Sequence, residues 1–369
     1  MSKILISHPP AGNYGGILQA FALQKGLEHI NVASSFYYFR PKDEILLRRS
    51  LRVQLRCMIN RILLYIGSGT KVSSIPLFIR TKIGELFSRR HMTLIQENLH
   101  IAASYIVGSD QVWRAGYARQ IASVFFFFLS FASLEQRRRS ITYAASFGSD
   151  EWEGAPEETE ECGRLLREFK AVSVRELSGV KICKDVFGVD AVQMPDPTLL
   201  LQQSDYGKII DSEKTWLPDG KYVAAYVLDE SMEKTKLLQG SAIGMEMQLQ
   251  HLLPHADAKK RRDRFPISVP QWLRLIRDCE CFITDSFHGC VFAIIYNKPF
   301  VCLGNEGRGN ARFDTLLGTF ALEDRLITNA TPEKVLQVLH TPIDWKRVNA
   351  IHDSERERGV NFLKENLCE

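Results

Sequence analysis

Apolar and polar positions along this chain alternate between two periods. Residues 3–7 (KILIS) are a short β-forming run, the turn AGNYGG follows, and residues 17–30 (ILQAFALQKGLEHI) repeat their apolar positions with helical spacing. Strand, glycine turn and helix are the opening of an α/β layer fold. The same alternation predicts strands at 105–109 (YIVGS), 141–146 (ITYAAS) and 171–175 (AVSVR), with a helix at 159–169. After DPTLLL (196–201) a polar stretch, 202–221, reads as an inter-domain connection. A second series then begins with a strand at 221–229 (KYVAAYVLD). It continues as helix 268–279, strand 281–286, helix 288–297, strand 299–304 and helix 312–320. The apolar run Val124–Ala132, around FFFF, is far short of the roughly 20 residues that span a bilayer, and it is predicted as a buried strand. The expected fold class is α/β, with two Rossmann-like domains facing a cleft. They take residues 1–200, with a basic helical insertion at about 40–90, and 201–340, with a helical tail at 341–369.

Composition changes this picture only in part. A chain of 369 residues with 45% apolar content suits two domains of ordinary size. A net charge of +4 permits anionic substrates without the basic footprint that nucleic-acid binding leaves, so no nucleic-acid partner is expected. The cysteines at 57, 162, 183, 279, 281, 290, 302 and 368 contain no CxxC pair, and their spacing suits neither a zinc site nor a dense disulfide framework. MSKILISHPP lacks a charged leader followed by an apolar run and a cleavage site. A cytoplasmic protein with reduced thiols and no bound metal is the expectation. Segment 40–90 stands apart, with twelve Lys or Arg against three acidic residues. A helix over 44–66 would align Arg48, Arg52 and Arg56 beside Leu51, Leu55, Met58 and Ile62. Two readings stay open for it: peripheral contact with an anionic membrane face, or a core-packed helix with a solvated basic side.

In open α/β sheets, ligands lie beyond the carboxyl ends of strands. That rule singles out AGNYGG, GSDQVW, VREL and TDSFHG. His288 opens a helix straight after a strand, where free N–H groups favour an anion. It reads as a phosphate ligand or general acid, or else as a core histidine. Gly289 would let a ligand approach the backbone, and Ser286 can donate a hydroxyl hydrogen bond. Arg175 ends its strand, where it suits a bidentate grip on an anion or, equally, an ion pair across the domain. Arg312, with Arg308 close by, follows a glycine-rich loop and precedes a helix. Asp110 could take a proton from a substrate hydroxyl, and Trp113 could stack on a sugar or lie buried. AGNYGG lacks the GxGxxG spacing and GxxxxGK[ST] is absent, which disfavours a P-loop kinase or an ordinary NAD enzyme.

Taken together, the motifs resemble the polysaccharide pyruvyl transferase family. The likeness is carried in order by NYGGILQAFALQ (13–24), YIVGSDQVW (105–113), ITYAASFG (141–148), VSVRELSG (172–179), PDPTLLL (195–201), FITDSFHG (282–289) and ARFDTLL (311–317). The resemblance implies a GT-B-like fold and transfer of pyruvate from phosphoenolpyruvate, as co-substrate and without a further cofactor, to two sugar hydroxyls. The acceptor would be a glycan or lipid-linked saccharide, and the protein could sit at the inner face of the cell membrane through 44–66. Arg175 and His288 correspond to the family's donor-binding residues. With Ser286, Gly289 and Arg312 on the donor side, His288 and Asp110 are the candidate catalytic pair. Asn13, Tyr14, Gly15, Gln111 and Trp113 are assigned to the acceptor. Two residues depart from the family pattern: Ser286 stands where many members have arginine, and Arg114 where asparagine is expected. Arg312 is the candidate to replace the charge missing at 286. The alternatives are a nucleotide-sugar glycosyltransferase of the same architecture and a catalytically silent glycan-binding protein.

Overall fold

Two parallel sheets organise the residues described in this computed structural model, namely 3–7, 12–37, 74–95, 99, 102–254, 261–304 and 310–368. The first sheet takes β1 (Lys3–Ile6), β2 (Ser34–Tyr37), β3 (Leu94–Ile95), β4 (Ser104–Val107) and β5 (Ile141–Thr142) in the order β3-β2-β1-β4-β5. Parallel bridges Ile141–Ala171 and Ala145–Val174 tie its edge to the pair β6 (Ser173–Val174) and β7 (Val192–Gln193). The second sheet runs β12-β11-β10-β8-β9, built from β8 (Tyr222–Tyr226), β9 (Gln248–His251), β10 (Cys281–Thr284), β11 (Phe300–Leu303) and β12 (Leu326–Ile327). Helices cover both faces, so central strands such as β8 and β10 are buried along their whole length and read as unbroken apolar runs. Strand order reverses between β1 and β4 and again between β8 and β10. Each reversal parts the neighbouring loops and leaves a crevice at the strand ends.

The two domains are not separate bodies. One apolar core runs from Leu18 and Tyr143 through Leu199 and Tyr206 to Trp272, Phe292 and Val348. The C-terminal helix Trp345–Leu367 crosses back onto the first domain. There His352 Nε2 lies 3.0 Å from the Leu199 carbonyl, and Lys170 donates to the Asn366 carbonyl at 2.7 Å.

Two sequence expectations are corrected. The FFFF run is not a strand: Val124–Phe128 is a 3-10 helix, capped by Ser123 accepting from Phe126 N–H and ended by Leu129 in the left-handed region (φ 58°). A short run that is apolar on all sides carries no period, so only its caps tell helix from strand. The polar connection 202–221 also holds a helix, Gln203–Ile210, which buries Tyr206, Ile209 and Ile210. The expected basic helix 44–66 lies outside the described residues. No helix among the described residues is long and apolar enough to cross a membrane.

Candidate active site

Four strand-end loops converge where the two crevices face each other. After β1 the chain turns into helix Tyr14–His29, whose N-cap, Asn13, accepts from Gly16 N–H through its side chain at 3.3 Å. After β4 comes Asp110, held in the left-handed region at φ 45°, a conformation aspartate tolerates better than most residues. Arg175 and Glu176 follow β6. Ser286, Phe287 and His288 follow β10, where Ser286 caps helix Phe287–Ile295 by accepting from Gly289 N–H at 3.4 Å.

The closest approach is between the first and last of these loops. A Cβ added at Gly15 would lie 2.5 Å from His288 Cβ and nearer still to its ring, so the first helix can pack on His288 only because residue 15 has no side chain. Beyond the imidazole, Nε2 is cut off from solvent and stands 3.5 Å from Asp196 Oδ2. Asp196 also accepts from Arg175 Nη1 at 2.9 Å and from the Thr198 hydroxyl at 2.6 Å. Burial alone would raise the Asp196 pKa. The charges of His288 and Arg175 and the bond from Thr198 outweigh it and hold the carboxyl well below the usual carboxylate range.

Arg175 is buried, and its Nε and Nη2 have no hydrogen-bond acceptor. Its nearest carboxylates beyond Asp196, Asp110 Oδ1 and Glu176 Oε2, are each 3.9 Å away, too far for hydrogen bonds. Its guanidinium sits 4.5 Å from the centre of the Phe287 ring, and that of Arg312 sits 5.9 Å from the same ring. Arg312 makes no ion pair or hydrogen bond among the described residues. Desolvation and the like charge of Arg175 lower its pKa to about 10. A small pocket opens beside them, lined by Arg175, Asp196, Phe287, Arg312 and Thr315 but not by Asp110, Ser286 or His288. Two arginines with unspent donors, set over one aromatic ring, have the chemistry to receive an anion of two charged groups.

The structure thus gathers Asp110, Arg175, Ser286, His288 and Arg312 into one place. Other assignments change. Trp113 is not a sugar platform: it is wholly buried, stacked on Phe128 with centroids 5.1 Å apart, and its indole N–H donates to the Phe127 carbonyl at 3.2 Å. Tyr14 is also buried, its hydroxyl donating to the Ile267 carbonyl and its ring edge-on to Trp272. It is a strut between domains rather than an acceptor contact. Gly289 makes room for Thr284, whose Cβ would lie 3.1 Å from an added side chain, and not for a ligand. Asn13 is exposed, and half-buried Gln111 accepts from Arg114 Nη1 at 3.2 Å. Arg114 itself pairs with Glu153 at 3.4 Å. Arg308 lies outside the described residues.

Three residues escaped the sequence reading. Asp196 lay within the motif PDPTLLL without being singled out. Glu176 is fully buried, and its Oε1 accepts from Ser146 Oγ at 3.0 Å, Phe147 N–H at 2.6 Å and Gly148 N–H at 3.2 Å, which fixes the loop beside Arg175. Arg80, from helix Ser74–His91, reaches the Tyr226 hydroxyl at 3.4 Å and lies over the Tyr14 ring at 5.4 Å. Among the described residues no group of three or more His, Cys, Asp or Glu could hold a metal ion.

Solved structures share this architecture at low sequence identity. Arabidopsis thaliana UGT89C1 complexed with UDP-L-rhamnose is 8% identical over 100% of this chain and 99% of its own, with a TM-score of 0.52. The spinosyn forosaminyltransferase SpnP is 12% identical over 100% and 99%, at 0.49. The UDP-GlcNAc 2-epimerase from Methanocaldococcus jannaschii is 12% identical over 99% of each chain, also at 0.49. The first likeness shows the fold alone, two Rossmann-like domains of the GT-B kind. No curated protein matches significantly. A family model described as "Polysaccharide pyruvyl transferase" matches residues 13–307.

Proposed function

The chain belongs to the polysaccharide pyruvyl transferase family, and from that premise we propose that it moves the pyruvyl group of phosphoenolpyruvate onto two hydroxyls of a sugar, in a polysaccharide or its lipid-linked repeat unit. The observation that carries the donor is the arginine pair over Phe287: Arg175 with two unpartnered buried donors and Arg312 without an ion pair or hydrogen bond among the described residues. Phosphoenolpyruvate presents a phosphate and a carboxylate a few bonds apart, and each would take one guanidinium. Ser286 keeps its hydroxyl hydrogen to donate to the same anion.

In this reading His288 protonates the donor's methylene carbon, and the adjacent carbon becomes oxocarbenium-like. A sugar hydroxyl adds there and yields its proton to Asp110. The bond to the phosphate oxygen breaks, and the second hydroxyl closes the ketal. Of the two hydroxyl protons, one is balanced by the new methyl hydrogen and one leaves with phosphate. The acceptor enters past exposed Asn13 and half-buried Gln111. No metal or further cofactor belongs to this scheme. Contact of segment 44–66 with an anionic membrane would bring a lipid-linked acceptor close, and flotation with anionic liposomes at low salt tests it.

The deciding experiment measures phosphate release from phosphoenolpyruvate with and without candidate glycans, next to hydrolysis of nucleotide sugars. Acceptor-dependent phosphate release supports the proposal. Turnover of a nucleotide sugar alone would replace it with the glycosyltransferase reading.

A further inference from the structure

At the centre of the site lies a carboxylate to which the scheme above gives no task. Asp196 stands between Pro195 and Pro197, and a residue before proline is confined to extended backbone, here φ −54° and ψ 139°. Its side chain is aimed by the local chain before any distant contact forms. Oδ1 is spent on its own turn, accepting from the Thr198 backbone N–H at 3.0 Å and hydroxyl at 2.6 Å. Oδ2 is left for residues far away in sequence: Arg175 Nη1 at 2.9 Å from the first domain and His288 Nε2 at 3.5 Å from the second. The side chain is entirely screened from solvent.

An ionised carboxylate can only accept hydrogen bonds, so it favours the tautomer with the hydrogen on the imidazole nitrogen that faces it. The other nitrogen, Nδ1, lies on the side of Gly15 and the start of helix Tyr14–His29, where the two crevices meet. The two ring nitrogens of His288 therefore have different surroundings and different uses.

The geometry points to Asp196 as a positioning residue for His288: its carboxylate faces Nε2 at 3.5 Å, a charge contact outside hydrogen-bond geometry, and favours the hydrogen on that nitrogen, which leaves Nδ1 as the nitrogen that exchanges a proton with the ligand. This rests on the reading of His288 as proton donor. After Nδ1 gives up its proton, the neutral ring keeps Nε2–H against Asp196, so the next turnover starts from a fixed orientation. The same carboxylate neutralises part of the Arg175 charge, which couples the anion site to the proton donor through one oxygen, Oδ2.

The test is the ring ¹⁵N–¹H correlation spectrum of the histidines, with His288 assigned by its loss in His288→Gln. At a pH where the ring is neutral, wild-type His288 is expected as the Nε2–H tautomer. In Asp196→Asn the side-chain amide presents a donor to that nitrogen, and the spectrum should move toward the Nδ1–H form. There kcat should fall on the order of 10²–10⁴-fold. KM for phosphoenolpyruvate should not rise, since the donor-binding arginines are kept and the charge that partly neutralises Arg175 is gone. A wild-type His288 in the Nδ1–H form overturns the inference, and so does an Asp196→Asn enzyme with wild-type kcat. Should the variant fail to fold, the wild-type spectrum alone decides. A wild-type protein that releases no phosphate from phosphoenolpyruvate with any acceptor sinks the transferase reading, while the tautomer spectrum still stands or falls by itself.

Discussion

Gly15→Ala tests the site through a single methyl group. The added Cβ would start 2.5 Å from His288 Cβ and closer to Cγ and Nδ1. Carbon atoms in contact settle near 3.5–4.0 Å, so the pair must open by about 1 Å. The histidine has little freedom to yield, because its far side faces buried Asp196 and its neighbour Phe287 packs on Phe313. Two energies compete in stability. Alanine in place of glycine favours a helix by roughly 0.5–1 kcal/mol, while overpacking costs typically about 1–3 kcal/mol. The net loss is modest, and the melting temperature should drop by only a few degrees. Turnover should respond far more, since a misplacement of about 1 Å at the reacting groups costs about 10²-fold. The assay is steady-state phosphate release from phosphoenolpyruvate with the identified acceptor, alongside calorimetric melting. Gly16→Ala is the control, because its Cβ would meet the Asp110 carboxylate tip at 3.1 Å and the Asn13 amide at an ordinary 3.5 Å, and a milder loss is expected. A Gly15→Ala protein that melts and turns over like wild type would refute the close packing of helix Tyr14–His29 on His288.

Arg312→Met should raise the melting temperature of the free protein, because burial and Arg175 both oppose the charge at 312, and should weaken phosphoenolpyruvate binding. Calorimetry with and without the donor reads both effects, and unchanged donor affinity would remove Arg312 from the site. Glu176→Ala should destabilise by about 1–3 kcal/mol through the buried Phe147 N–H it orphans, as measured by urea unfolding, while Gly148 N–H keeps the Ser146 hydroxyl as its acceptor at 3.1 Å. Acid should remove the contribution of Asp196. Its folded pKa lies below the unfolded value of 3.8, so the stabilisation is full above that value and is lost as pH falls from it toward the folded pKa. The stability gap between wild type and Asp196→Asn is therefore expected to narrow on acidification below that value, and a gap independent of pH would contradict the ionised pairing.

What could be read from the chain alone was local. β1, β4, β8, β10 and β11 fall where runs of β-forming residues end in glycine, serine or aspartate, and the strand-end rule places Asp110, Arg175 and His288 correctly at the mouth of the sheets. Parallel topology brings strand ends to one edge within each sheet, whereas the meeting of Asp110 and Arg175 with His288 of the second sheet depends on contacts between the domains. The misread residues are those whose meaning depends on a distant partner. Gly15 looked like part of an acceptor turn, but the reason for a glycine there is the imidazole of residue 288, supplied by the other domain. Trp113 and Tyr14 have the chemistry of sugar platforms, and only the neighbours Phe128 and Trp272 turn them into core. Asp196 carried a usable signal: a carboxylate placed between two prolines has its backbone direction set locally. The departure at Ser286 fits the same logic. In this chain the position serves as a helix cap, and helix Ala311–Phe320 brings the guanidinium of Arg312 to the ring of Phe287, where it meets Arg175. Under the proposed function Arg312 would supply the charge that residue 286 lacks, and an arginine brought in from another helix leaves no trace at residue 286 itself.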